Sequence, residues 1–171
     1  MAKKNAIGLK ALLIGDIAVD GGAGTTLTEL VGDTVRGTAS LTSTTVESTP
    51  ILIEESDDPI MNIITGGGIF SFVWSSYNLD PDVLVQFFGG SVTGTAPNKI
   101  WAAPDLIPNI EKTVQGETAN GIVAKAARVQ ISAEMALNFQ KETPGQINFV
   151  GTVLKPTKVD EPKLTIGTPA P

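Results

Sequence analysis

Carboxylates are the only side chains in this chain gathered densely enough to do chemistry as a group. They stand together in Glu54-Glu55-Ser56-Asp57-Asp58-Pro59. Two carboxyl groups can serve as acid and base on a glycosidic bond, but only if they face one another across a cleft. For Glu54, Glu55, Asp57 and Asp58 the sequence supplies no such opposing group. A calcium loop would need alternating carboxylates and a glycine at a fixed place, and this run has neither. It therefore reads as a solvated loop or as a charged contact with another copy of the chain. A second stretch, Asp20-Gly21-Gly22-Ala23-Gly24-Thr25-Thr26, has the glycines of a phosphate cradle but lacks the lysine that should follow them. It is expected to be a flexible loop.

The 171 residues include no cysteine, no histidine and a single tyrosine. The commonest nucleophile, metal ligand and neutral-pH acid/base are thus missing, so no enzyme activity, cofactor or metal is expected. A formal charge of −6 and a pI near 4.6 argue against a protein that grips nucleic acid by neutralising phosphates. Met1 to Gly15 has the outline of an export signal, with Lys3 and Lys4 ahead of Leu12, Leu13 and Ile14. Lys10 interrupts its apolar run, and no small-x-small cleavage site follows. No apolar run approaches the roughly 20 residues that cross a bilayer, so no membrane partner is expected.

The elements that must position these groups are mostly strands. One stretch differs: Asp80 can cap a helix, Pro81 suits its first position, and Asp82 meets the positive end of the dipole. Gly89-Gly90 supplies the stop. Val83, Leu84, Phe87 and Phe88 then form one apolar face on a helix over about residues 81–88, which must pack against a sheet to be stable. Strands are expected at Leu9 to Gly15, Arg36 to Thr45, Val46 to Ile53, Ile69 to Tyr77, Ser91 to Thr93, Lys99 to Ala102, Ile110 to Gln115 and Ile147 to Leu154. Phe70, Phe72 and Trp74 alternate with Ser71, Val73 and Ser75, the period of two of a core-facing strand. The clearest strand puts Val129, Ile131, Ala133, Met135, Leu137 and Phe139 on one side. Gln130, Ser132, Glu134, Ala136 and Asn138 take the other.

Roughly eight strands and one helix make an all-β sandwich or barrel-like domain with the helix on its flank. Residues 1–155 form this domain, and 156–171, rich in proline, form an extended C-terminal arm. Lys3, Lys4 and Lys10 near one end and Lys155, Lys158 and Lys163 near the other contrast with the acidic centre. That separation permits head-to-tail contact between copies, and solvated termini explain it equally without any contact.

Two parts of the chain, taken in order, resemble the tail tube proteins of long-tailed bacteriophages and the related tubes of contractile injection systems. The first is Asp80-Pro81-Asp82-Val83-Leu84-Val85-Gln86-Phe87-Phe88-Gly89-Gly90. There the family often has an acid-Pro-acid opening, an apolar run and a closing Gly-Gly. The second runs from Ala127-Arg128-Val129-Gln130-Ile131-Ser132 through Lys141-Glu142-Thr143-Pro144-Gly145 to Phe149-Val150-Gly151-Thr152-Val153-Leu154-Lys155-Pro156. This order is similar to the family's late strand, hairpin and final strand. The resemblance covers the second half of the chain; the glycine loop at Asp20 to Thr26 and the Ile60 to Gly68 segment depart from it.

The resemblance implies a structural virion protein, made in the cytoplasm of a bacterial host. Its copies would form hexameric rings stacked into a hollow tail tube, with other tail proteins at the tube ends. It also implies transient, non-specific passage of DNA through the lumen. Ser132, Glu134, Asn138, Thr42 and Thr44 are candidates for the lumen wall, and the solvent face of a sandwich is the alternative for the same residues. Glu54, Glu55, Asp57 and Asp58 are candidates for contacts between rings. A competing function is a β-sandwich module that binds carbohydrate or a surface partner, for which Trp101 is the one aromatic platform.

Overall fold

The computed structural model describes residues 5–168. The chain is all-β with one short helix. Its main sheet joins β1 (Leu9–Gly15), β2 (Ser40–Ser43), β5 (Phe70–Ser76), β8 (Ile110–Thr118), β9 (Val123–Ala136) and β10 (Gln146–Val153) in the order β1-β8-β9-β10-β5-β2. All these pairings are antiparallel. Two smaller sheets are hairpins, β3 (Glu47–Ile53) with β4 (Ser56–Gly66) and β6 (Ser91–Thr93) with β7 (Ile100–Ala102).

The large sheet curls into a half-barrel. A Cβ placed on Gly116 of β8 would lie 3.8 Å from the ring of Phe72 on β5, although β9 and β10 separate those strands in the sheet. The outer strands β1 and β2 do not pair with each other, and a cavity of about 910 Å³ lies between them. The inner face follows the period-two pattern. Val129 and Ile131 on β9, Ile147 and Phe149 on β10, and Phe72 and Trp74 on β5 are all buried in one core.

Helix α1 (Pro81–Phe88) rests on this inner face. Asp80 Oδ1 accepts from the Asp82 amide at 2.9 Å, Pro81 opens the first turn, and the Gly89 amide closes the last on the Val85 carbonyl. Gly90 at φ 87° continues the stop, and a Cβ there would meet the Ala102 carbonyl oxygen at 2.1 Å, so the position requires glycine. Val83, Leu84, Phe87 and Phe88 are all buried, and the Phe87 ring meets Phe149 edge-on. Helix and sheet thus share one hydrophobic core.

Two expectations need correction, and part of the C-terminal segment docks on the sheet. Residues Leu164–Gly167 form β11, which pairs with Val123 to Ala126 of β9 and so prolongs the edge that β10 begins. The stretch Asp20 to Thr26 is tied down: the Gly24 amide donates to Thr113 Oγ1 at 2.8 Å, and Lys158 bridges Asp20 and Glu161. β9 ends at Ala136, so Leu137, Asn138 and Phe139 leave the alternating stripe and are exposed in the turn before β10. Lys3 and Lys4 lie outside the described residues.

Candidate functional site: an outer polar face and a bare hairpin

The register sets the outer face of the half-barrel. Gln130 of β9 stands opposite Thr152 of β10, Thr152 opposite Ser71 of β5, and Ser71 opposite Thr42 of β2. One step along, Ser132, Val150, Val73 and Ser40 form a second row, and Glu134, Asn148 and Ser75 form a third. Directly opposed residues in a sheet share a face. Ser132, Glu134 and Thr42, which come from distant parts of the sequence, therefore lie on one surface, and all three are exposed.

Thr44 and Asn138 are not part of these rows. Thr44 follows the end of β2, where its amide donates to the Ile69 carbonyl and its hydroxyl accepts from the Ile69 amide. Asn138 lies beyond β9. The residues missed in sequence are Ser71, Asn148 and Thr152. The alternation of Ser71-Val73-Ser75 against Phe72 and Trp74 carries their signal, as does that of Asn148-Val150-Thr152 against Ile147 and Phe149.

The three rows contain hydroxyls, amides, two valines and one carboxylate, and no lysine or arginine. Part of the face is knitted together: Ser75 Oγ donates to Asn148 Oδ1 at 2.8 Å, and Gln146 Nε2 donates to the same oxygen at 3.0 Å. Arg128 lies two positions before Gln130, and its guanidinium is held by Glu111. Its Nε and Nη2 reach the two Glu111 carboxylate oxygens at 2.7 and 2.9 Å. The hydrogen bonds from Arg128 hold the Glu111 carboxyl below its usual range. A phosphate approaching this face meets no uncompensated cation in its rows.

The second feature is the β3–β4 hairpin. Glu54 and Glu55 make its turn, while Asp57 and Asp58 open β4, so the acidic run caps a ribbon and does not form a loop. All four are exposed. Pro50 and Pro59 sit inside the strands, as a ribbon with two free edges allows, and Pro50 faces Asn62. Opposed pairs put Ile51 and Met61 with Thr49 and Ile63 on one face, and Ile64 with Ser48 on the other. Leu52, Ile53, Ile60, Met61, Ile63 and Ile64 are all exposed, and among the described residues no third strand joins the ribbon.

The lysines that were to meet this acidic tip are partly engaged within the chain. Lys10 pairs with Glu117 at 3.4 Å, Lys158 with Asp20 at 2.8 Å, and Lys163 sits over the Phe70 ring. Trp101 is also engaged, since its Nε1 donates to the Gly89 carbonyl at 2.8 Å and its ring meets Phe88 edge-on. It tethers β7 to the end of α1. Among the described residues no group of three or more acidic side chains is placed to hold a metal ion. No protein-family model and no curated protein matches the chain.

Proposed function

We propose that this chain is a structural subunit that assembles with copies of itself into a hollow tube, the work done by the phage tail tube proteins it resembles. The β3–β4 hairpin is the observation that carries the reading. An isolated two-stranded ribbon is marginal in water, and this one exposes aliphatic side chains on both faces and hydrogen-bonding groups along both edges. Contact with another copy covers that surface and makes the ribbon stable.

The outer edge of β2, unpaired among the described residues, and that of β1, which meets only Thr28 at Ile14, support the same reading, because a closed ring of subunits removes sheet edges that would otherwise pair without control. The outer polar face is suited to the lumen. A conduit must not hold its cargo, and a wall of hydroxyls, amides and the Glu134 carboxylate offers DNA phosphates no counter-charge. In this reading the subunits form hexameric rings in a phage tail, the acidic hairpin tip reaches the next ring, and DNA passes through.

Negative-stain microscopy across a concentration series tests the proposal. Rings with a central hole, stacking into filaments as concentration rises, are the expected result. Monomers at every concentration would overturn it.

A further inference from the structure

We propose that Asn120-Gly121 is a site of spontaneous deamidation, and that its conversion undocks the N-terminal segment from the β8–β9 turn. It is the chain's one Asn-Gly pair. The turn is tight: the Gly121 amide donates to the Thr118 carbonyl at 3.0 Å, the Thr118 amide donates to Ile122 at 2.9 Å, and Gly121 takes the left-handed conformation at φ 84°. Asn120 is exposed on it, and its side chain does more than complete the turn. Its Oδ1 accepts from the Thr118 hydroxyl at 2.8 Å and from the Ile7 amide at 3.3 Å, while its Nδ2 donates to the Asn5 carbonyl. The Ala119 amide adds bonds to the Ile7 and Gly8 carbonyls. One carboxamide thus fastens the segment before β1 by a donor and an acceptor together.

The reaction needs only water. The Gly121 backbone nitrogen attacks the Asn120 side-chain carbon, a C–N bond forms, and the proton from that nitrogen leaves with the amide as ammonia. Water then opens the cyclic imide to aspartate or isoaspartate, so the balance is amide plus water to acid plus ammonia. Glycine on the following residue leaves the attacking nitrogen unhindered. While the segment is docked, Asn120 is held at both ends of its amide and the Gly121 N–H is engaged by Thr118, so conversion requires the turn to open. The product keeps the acceptor half of the contact and cannot restore the donor half. A carboxylate has no N–H to donate, and it sets a charged acceptor beside the Asn5 carbonyl oxygen. The site is therefore a one-way latch.

The test incubates the full chain in mildly alkaline buffer and follows it by peptide mass mapping and amide exchange, beside the Asn120→Asp variant, which carries the aspartate product without the reaction. Conversion at Asn120 ahead of the chain's other asparagines is expected. Exchange at the Ile7 and Ala119 amides should rise about tenfold in the converted fraction and in the variant, with the β9–β10 amides unchanged. If Asn120 stays intact in the folded chain while the same pair converts in urea, the site is overturned. If converted chains exchange at Ile7 like unconverted ones, the latch is overturned. Should Asn120→Asp fail to fold, the converted wild-type fraction still decides.

Discussion

The ring of Phe87 stands edge-on to that of Phe149, with centroids 4.9 Å apart at 68°, and Phe149 in turn stacks on Trp74 at 4.9 Å. This chain of three aromatics runs from the helix through β10 to β5 and fastens α1 to the middle of the sheet. Phe87 and Phe149 are essentially inaccessible to water. Truncating Phe87 to alanine is expected to cost about 3–5 kcal/mol, the transfer of its ring plus the cavity left behind. Urea unfolding checks this as a shift in midpoint at unchanged slope. A loss below about 1 kcal/mol would mean that the helix does not pack as described.

The Glu111–Arg128 pair makes stability depend on pH in acid. The hydrogen bonds from Arg128 lower the folded Glu111 carboxyl from its ordinary value of 4.5. A depressed folded value means that its contribution is fully present above pH 4.5 and fades as pH falls through the folded value. Glu111→Gln should therefore lose stability at neutral pH and show a shallower decline below pH 4.5 than the parent chain. Thermal melts across that window read both effects. Parallel declines for the two proteins would show that the pair does not couple to folding.

Most of the core was legible because one period governs it. The alternation Phe72-Val73-Trp74 and the run Val129 to Met135 placed residues on faces that the register then matched across strands. The helix was legible from its cap, its proline and its glycines, all of them local signals. Only the first strand of the hairpin was legible, at Val46 to Ile53, where Pro50 suits an edge. The second was hidden, because Pro59 and the carboxylates beside it do not suit a strand buried in a sheet, whereas a ribbon with both edges free tolerates them. β11 was missed for a related reason: Leu164–Gly167 is too short to show a period, and only its pairing with Val123 to Ala126 defines it. Which polar residues share a face depends on long-range register, so Thr42 could be grouped with Ser132 only by residue type.

The outer face can be tested by charge. If Ser132, Glu134 and Thr42 line a passage for DNA, replacing Ser132 and Glu134 together with lysine puts cations where the rows have none. Assembled tubes of that variant should retain duplex DNA at low salt and release it steeply as salt rises, through counterion release. Tubes of the parent chain should retain none at either salt. Cosedimentation of DNA with the tubes measures this. Equal retention by the two would remove these residues from the wall.

The hairpin gives the sharpest separation between folding and assembly. Ile60 and Ile64 are 58% and 70% exposed in the single chain, so changing either to lysine removes little buried contact. The stability of the isolated subunit should stay within about 0.5 kcal/mol of the parent, as for other surface changes. Assembly should respond differently, because burying an unpaired ammonium between copies costs far more than the aliphatic contact it replaces. Ile60→Lys and Ile64→Lys should therefore abolish rings or filaments at concentrations where the parent chain forms them. Reversing Glu54, Glu55, Asp57 and Asp58 to lysine separates ring closure from stacking: if the tip reaches the next ring, single rings persist while filaments shorten. Light scattering with microscopy reads both. Filaments of parental length from the isoleucine variants would mean that the ribbon's exposed faces are not where the copies meet.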